Sequence, residues 1–170
     1  MLPIDIRKAE RSDIPALSRI AYEAWAHGIL PLMVERPGQR AAERARLEAA
    51  AVDTVERIVV AEFEGLVVGW CSRARGRAYI PYLFVMPDMQ GLGIGSLLLR
   101  RMEAVLELYG ASRVNLETPA DNVRAVRFYE RQGYRILAMR PDGRPGRDPF
   151  MSVHLEKSLR PYAGPVDADD

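Results

Sequence analysis

Three glycines within five residues form the clearest anion-binding pattern of the chain. They lie between an apolar run and an amphipathic stretch, in the segment Gln90, Gly91, Leu92, Gly93, Ile94, Gly95 and Ser96. Glycine lets the backbone turn tightly and approach a ligand closely. A helix beginning there would present unpaired N–H groups and the positive end of its dipole, which suits a pyrophosphate. The spacing differs from dinucleotide-binding and P-loop motifs. The alternative is that the glycines only open the helix and allow close packing.

A second motif downstream strengthens the pyrophosphate interpretation. The loop, as Gln90-x-x-Gly93-x-Gly95 preceded by Val85-x-Pro87, resembles the coenzyme A loop of the GNAT superfamily of acetyltransferases. Asn122-x-x-Ala125-x-x-Phe128-Tyr129-Glu130-x-x-Gly133-Tyr134 is similar to the second motif of that family. Together with the strand order, the resemblance extends over residues 4–158. It implies an acyl-CoA-dependent N-acyltransferase that moves an acetyl or short acyl group to an amine by direct attack in a ternary complex.

The resemblance also implies which residues bind acetyl-CoA and which act on it. The implied cosubstrate-binding residues are Leu83, Phe84, Val85, Gln90–Ser96, Asn122 and Tyr129. A phenol of pKa about 10 can protonate a leaving thiolate of similar basicity, so Tyr129 is the candidate acid. The backbone N–H of Val85 is expected to polarise the acetyl carbonyl. A half-buried core aromatic whose hydroxyl reaches water is the alternative for Tyr129.

The general base stays open in the sequence. Many members of the family place a glutamate on the strand before the loop, but residues 79–84 contain no carboxylate. Glu117 on the next strand and Glu62 on a predicted hairpin are the alternatives, either of them acting through water. Glu117 is the candidate catalytic carboxylate, against the ordinary role of a solvent-facing strand residue.

The nature of the acceptor is also open. Trp25, Tyr79 and Tyr82 lie on segments that wall the acceptor cleft in similar enzymes, and their rings could enclose a compact amine and attract its cationic form. They predict a small primary or secondary amine, although aromatic residues at such positions are usually core. A protein or peptide N-acetyltransferase and a catalytically silent acyl-CoA sensor are the two rival functions.

The composition predicts an ordinary single globular domain. The 170 residues are 48% hydrophobic and 28% charged, and the net charge of +1 gives no basic field for nucleic acid. One cysteine and an N-terminus without an apolar run favour a cytoplasmic location. Two scattered histidines give no metal-ligand spacing, and no apolar run is long enough for a membrane span. We therefore expect no metal, nucleic acid or membrane partner, while a homodimer is left open.

The pattern of elements predicts an α/β fold. A first strand near residues 2–7, a helix capped by Ser12, and a helix over 40–51 precede a hairpin over 58–71. A third strand over 79–85, a helix over 97–109, a strand over 114–118, a helix over 123–132 and two last strands follow. The prediction is one GNAT-like domain over residues 1–160, with a mixed, mostly antiparallel sheet of six to seven strands and four helices. Residues 161–170 are expected to form a flexible tail.

Overall fold

The computed structural model describes residues 2–142 and 150–160, and in them the predicted α/β fold class is confirmed. Four α-helices and seven strands are present in these residues. In chain order they are β1 (Ile4–Lys8), α1 (Ile14–Gly28), α2 (Gln39–Thr54), β2 (Ile58–Phe63), β3 (Leu66–Ser72), β4 (Tyr82–Val85), α3 (Ile94–Leu108), β5 (Arg113–Pro119), α4 (Val123–Arg131), β6 (Arg135–Asp142) and β7 (Phe150–Ser158). The predicted tail, 161–170, lies outside the described residues, so the domain boundary stays a prediction.

The strands form two antiparallel sheets that meet at one point. One sheet has the order β1-β2-β3-β4 and the other β5-β7-β6. They are joined by a single parallel bridge between Tyr79 and Asn115, where the Ile80 N–H donates to the Asn115 carbonyl over 3.0 Å. Pro81 comes next and has no N–H to continue the pairing. Strand β4 therefore begins at Tyr82 rather than Tyr79, and its outer edge is not paired with β5, which leaves a gap between the sheets.

The side chains of β4 alternate between two separate cores. Tyr82 and Phe84 pack with α1, α2 and the buried Trp70, whereas Leu83 and Val85 pack against the core formed by α3 and the second sheet. This alternation follows from the two-residue period of a strand. As a result, the helices α1 and α2 cover one face of the first sheet and α3 covers the other.

The start of α1 differs from the prediction of a Ser12 cap. The helix begins at Ile14, and a short 3₁₀ turn over Arg11–Asp13 precedes it. The Asp13 carboxylate accepts a hydrogen bond from the Glu10 N–H over 2.7 Å and pairs with Arg7 at 2.9 Å. The hydrogen bond from Arg7 lowers the pKa of Asp13, which stays ionised and holds the turn. The cap is therefore determined by a contact with β1 that local sequence does not show.

No helix among the described residues is long and apolar enough to cross a membrane. Within the same ranges, no group of His, Cys, Asp and Glu side chains is arranged to hold a metal ion.

Candidate active site

The glycine loop takes a backbone shape that other residues rarely adopt. Gly91 and Gly93 have φ angles of 77° and 85°, in the left-handed region where a Cβ is strained. The 15-residue helix α3 begins at Ile94, immediately after the second of these glycines. Its first N–H groups have no intrahelical acceptor and carry the positive end of the helix dipole. The loop and the first turn of the helix together present backbone N–H groups that suit a diphosphate.

Two polar side chains hold this loop in place. The Gln90 Nε2 donates to the Val85 carbonyl over 3.1 Å, which fastens the loop to the end of β4. The Ser96 hydroxyl accepts a hydrogen bond from Gln132 Nε2 over 2.9 Å, which ties α3 to the end of α4. A Cβ on Gly95 would lie 3.4 Å from the Phe128 ring, an ordinary packing distance, so α3 and α4 contact each other at this point. The side chains of Gln90 and Ser96 thus position the loop, and the backbone is left to meet a ligand.

The outer edge of β4 presents free backbone groups to the gap. Val85 is opposite Gly69 in the antiparallel register, and the Met86 N–H donates to the Val68 carbonyl over 2.9 Å. Hydrogen-bonded and non-bonded pairs alternate in such a ladder. Phe84 therefore bonds to β3, whereas the N–H and carbonyl groups of Leu83 and Val85 point away from it. The Val85 carbonyl accepts from Gln90, and the N–H of Val85 faces the gap.

Tyr129 lies on α4 with its ring against the core of α3 and the second sheet. The helix starts at Asn122, whose side-chain oxygen accepts from the Ala125 N–H over 3.2 Å, so this residue caps α4 in the structure. The rings of Phe128 and Tyr134 meet the Tyr129 ring edge-on, with centroids 5.2 and 5.7 Å away.

Burial raises the pKa of Tyr129 well above its ordinary value, and neighbouring Cys71 and Tyr79 raise it further. The phenol therefore keeps its proton at neutral pH. It can donate that proton or a hydrogen bond, and it cannot serve as a base.

A cavity of about 680 Å³ lies beside Tyr79, between the segment before β4 and one face of the second sheet. Glu117 and His154 are opposite each other in the β5–β7 register and both line it. The Glu117 Oε1 lies 3.6 Å from His154 Nδ1, and the Ser152 hydroxyl donates to its other oxygen over 3.4 Å. Tyr79 lines this cavity, and its electrostatic effect is one of those that raise the pKa of Tyr129.

The remaining predicted residues lie elsewhere. Glu62, the alternative base, is on β2 and is paired with Arg7 at 2.9 Å. Trp25 is 6% exposed and packs in the core of α1 and α2. Tyr82 accepts a hydrogen bond from Arg46 over 3.0 Å and stacks on Phe84. Of the three aromatic residues predicted to wall the acceptor site, the structure brings only Tyr79 to the cavity.

The structure adds cavity residues that the sequence analysis did not select. They are His154, Arg77 and Arg140, on three separate segments. The alternation of β7 indicates only that His154 lies on its polar face, and the pairing with β5 is needed to bring it opposite Glu117. Arg77 alternates with Arg73 and Arg75, a pattern that favours a solvated sheet edge over an anionic acceptor site, and Arg140 carries no local signal.

Comparisons with known proteins identify the family and the fold of the chain. A family model described as Acetyltransferase (GNAT) family matches residues 17–134. An uncharacterized N-acetyltransferase of Methanocaldococcus jannaschii is 39% identical over 85 residues, which cover 48% of this chain and 54% of that protein. The match covers about half the length of this relative and of a similar acetyltransferase from Sodalis glossinidius.

Solved structures show the same fold. A GCN5-related N-acetyltransferase structure from Rhodopseudomonas palustris has a TM-score of 0.75 at 20% identity and covers 94% of this chain and 97% of its own. The structure of the PaiA N-acetyltransferase of Thermoplasma acidophilum in complex with coenzyme A has a TM-score of 0.74 at 18% identity. The match covers 93% of this chain and 100% of that one. At these identities the likeness is one of fold, and it confirms the predicted GNAT-like architecture.

Proposed function

The chain belongs to the acetyltransferase (GNAT) family, and from that membership we propose that it transfers an acetyl or short acyl group from acyl-CoA to a small-molecule amine. One observation carries the proposal. The free edge of β4 faces the gap between the two sheets, the glycine loop lies at the start of α3, and the Tyr129 ring packs against the core of α3 and the second sheet. A cavity that contains the carboxylate of Glu117 lies beside Tyr79, whose bridge to Asn115 joins the two sheets at the end of this gap.

The residues around the gap fit acetyl-CoA. The N–H groups of the Gly91–Ser96 backbone suit its diphosphate. The exposed edge of β4, at Leu83 and Val85, suits the amides of the pantetheine arm, because extended chains add to an open strand edge through backbone hydrogen bonds. Bound there, acetyl-CoA supplies an activated acetyl group. Phe84 contributes through its side chain in the core, which holds β4 in position.

Three groups of the chain then have distinct roles in acyl transfer. The Val85 N–H donates to the carbonyl oxygen, on which negative charge builds during attack. Tyr129 gives its proton to the departing thiolate, consistent with a phenol that is protonated at neutral pH. Glu117 takes the proton that the amine loses, directly or through water. One proton leaves the amine and one joins the thiolate, so the reaction is balanced once solvent exchange resets both groups.

The size of the cavity supports a small acceptor. Its volume of about 680 Å³ is within the roughly 300–1,000 Å³ typical of small-molecule sites. The net charge of +1 gives no overall attraction for nucleic acid, and we propose none as a partner. The cytoplasmic location and the oligomeric state stay predictions.

Release of free thiol from acetyl-CoA, measured across a panel of primary and secondary amines, tests the proposal. We expect turnover with at least one small amine and calorimetric binding of coenzyme A to the apo protein. Binding without thiol release from any amine or peptide would indicate a silent acyl-CoA sensor. Acetylation of peptide N-termini in preference to every small amine would favour the protein-modifying function.

A further inference from the structure

We propose that the amine acceptor also carries an anionic group, a carboxylate or phosphate, which Arg77 and Arg140 bind while its amine meets Glu117. This inference rests on the proposed function, because that function places the acceptor in the 680 Å³ cavity. It narrows the acceptor from any small amine to a dipolar one, with amino acids as the simplest class.

The charges that line the cavity are unequal. Among the residues that the structure describes, Arg77, Arg113 and Arg140 line it together with one carboxylate, that of Glu117. Arg113 lies 4.0 Å from the mostly buried carboxylate of Glu156, which therefore compensates part of its charge. Neither Arg77 nor Arg140 forms an ion pair with any residue that the structure describes. The chain as a whole carries a net charge of only +1, so this excess of positive charge is a local property of the cavity.

Arg77 is held in a way that leaves its hydrogen-bond donors usable. Its guanidinium lies over the Tyr79 ring, 4.7 Å from the centroid. Contact with an aromatic face uses the plane of a guanidinium, while its N–H groups point outward along the edge. A planar fork of N–H donors matches the two oxygens of a carboxylate or of a phosphate. Arg140, on β6, supplies a second such fork from another wall of the cavity.

The negative side of the cavity suits the amine. Glu117 lies opposite His154 on the face that lines the cavity, so its carboxylate can accept hydrogen bonds from an ammonium or amine. A molecule with an amine at one end and an anion at the other matches both sides at once. A polyamine would instead place cations against Arg77 and Arg140, and like charges at close range select against it.

Matched pairs of amines test the inference on the wild-type protein. Each pair consists of an α-, β- or γ-amino acid and its carboxamide, and an aminoalkyl phosphonate joins each series as a phosphate analogue. We expect kcat/KM for thiol release to be about 10-fold or more higher for the acid, because charged hydrogen bonds discriminate at about this level. A carboxylate makes the adjacent amine more basic, so less of that amine is neutral and able to attack at neutral pH. Without an anion site, the carboxamide would therefore react faster than the acid. Preference for the phosphonate over the carboxylate would assign the anion as a phosphate.

Variants then test the assignment to the two arginines. Arg77→Gln, Arg140→Gln and the double variant should raise KM for the anionic amine while leaving KM for acetyl-CoA unchanged. The acid-to-carboxamide ratio should approach one in the double variant. Arg11→Gln is the matched control, since Arg11 is exposed in the turn before α1 and does not line the cavity. Circular dichroism of each variant confirms that it is folded.

Two results would overturn the inference and leave the proposed function intact. One is turnover of carboxamides as fast as of their acids in the wild-type protein. The other is a ratio that persists in the folded double variant. If no amine is turned over, calorimetry separates the anion site from the proposed acyl transfer. It measures the binding of the amino acids to the protein in complex with coenzyme A. Binding that the double variant loses would support the anion site and refute transfer, whereas no binding of any anionic amine would overturn both.

Discussion

Replacing Tyr129 by Phe removes one oxygen atom and is expected to lower kcat without unfolding the protein. The ring keeps its edge-on contacts with Phe128 and Tyr134, and the hydroxyl forms no hydrogen bond with the described residues. No buried partner is left unsatisfied, so the free energy of unfolding should change by less than about 1 kcal/mol. Loss of the acid should lower kcat by about 10²-fold, which corresponds to about 2.7 kcal/mol of transition-state stabilisation.

Tyr134→Phe is the matched comparison, because it also deletes a single phenolic oxygen. The Tyr134 hydroxyl donates to Glu103 Oε1 over 2.9 Å, and Lys157 donates to the other oxygen of this buried carboxylate. Removing one donor from a buried carboxylate should lower the free energy of unfolding by about 1–3 kcal/mol. We expect kcat to change much less than in Tyr129→Phe. The two variants thus separate a loss of chemistry from a loss of stability.

Both variants are assayed by free-thiol release at saturating substrate and by urea unfolding. Because the pKa of Tyr129 is raised, the wild-type kcat should not fall through the range near pH 10 where an ordinary tyrosine loses its proton. Full activity in Tyr129→Phe would show that water protonates the thiolate and would refute this reasoning. Destabilisation of Tyr129→Phe as large as that of Tyr134→Phe would show that the residue is mainly structural.

The other predictions concern the loop, the base and alkaline stability. Coenzyme A at 100 times its Kd should stabilise the wild-type protein by about 2.7 kcal/mol, and Gly93→Val should abolish the resulting thermal shift. Gly65→Val, at a hairpin turn with a similar φ of 79°, should retain the shift. An equal shift in both variants would remove the loop from the site. Glu117→Gln should lower kcat by about 10²-fold and Glu62→Gln should not, and the reverse result in the thiol-release assay would make Glu62 the base. Burial raises the pKa of Cys71 above its ordinary value of 9.0, so its stabilising contribution is complete below pH 9 and is lost as the pH rises, when the unfolded thiol ionises first. Between pH 9 and pH 10, the free energy of unfolding, measured with urea, should therefore fall by about 1 kcal/mol less in Cys71→Ala than in the wild type. An equal fall in the two proteins would contradict this.

Local pattern was sufficient for most of the elements and for the ligand loop. The glycines of the loop are close in sequence, and their conformational freedom is a property of each residue. The amphipathic stretch that follows them is helical, although α3 starts at Ile94 rather than Leu97 because the positive φ of Gly93 allows the helix to begin at once. The sequence of residues 122–134 similarly predicted α4 with Tyr129 on it, since helical periodicity joins residues that are neighbours in the chain.

The surroundings of the reacting groups needed the tertiary structure. Glu117 and Glu62 are both strand carboxylates, and only the strand pairing puts one opposite His154 in a cavity and the other beside Arg7. A shift of one residue in register would reverse which side chains face the cavity, and no local pattern determines that register. Trp25 likewise became a core residue through contacts with distant segments rather than through its own helix.

The sequence by itself thus determined the family, the α/β class and the conformation of the glycine loop before α3, because these depend on residues close together in the chain. The tertiary structure decided the gap between β4 and β5, where Pro81 and the single bridge at Tyr79 end the pairing of the two sheets. It also decided the charge of the cavity beside Tyr79, which combines Arg77, Glu117 and Arg140 from three segments. Electrostatic fields add over distance in space and not along the chain, so only the folded protein could show which charges act together.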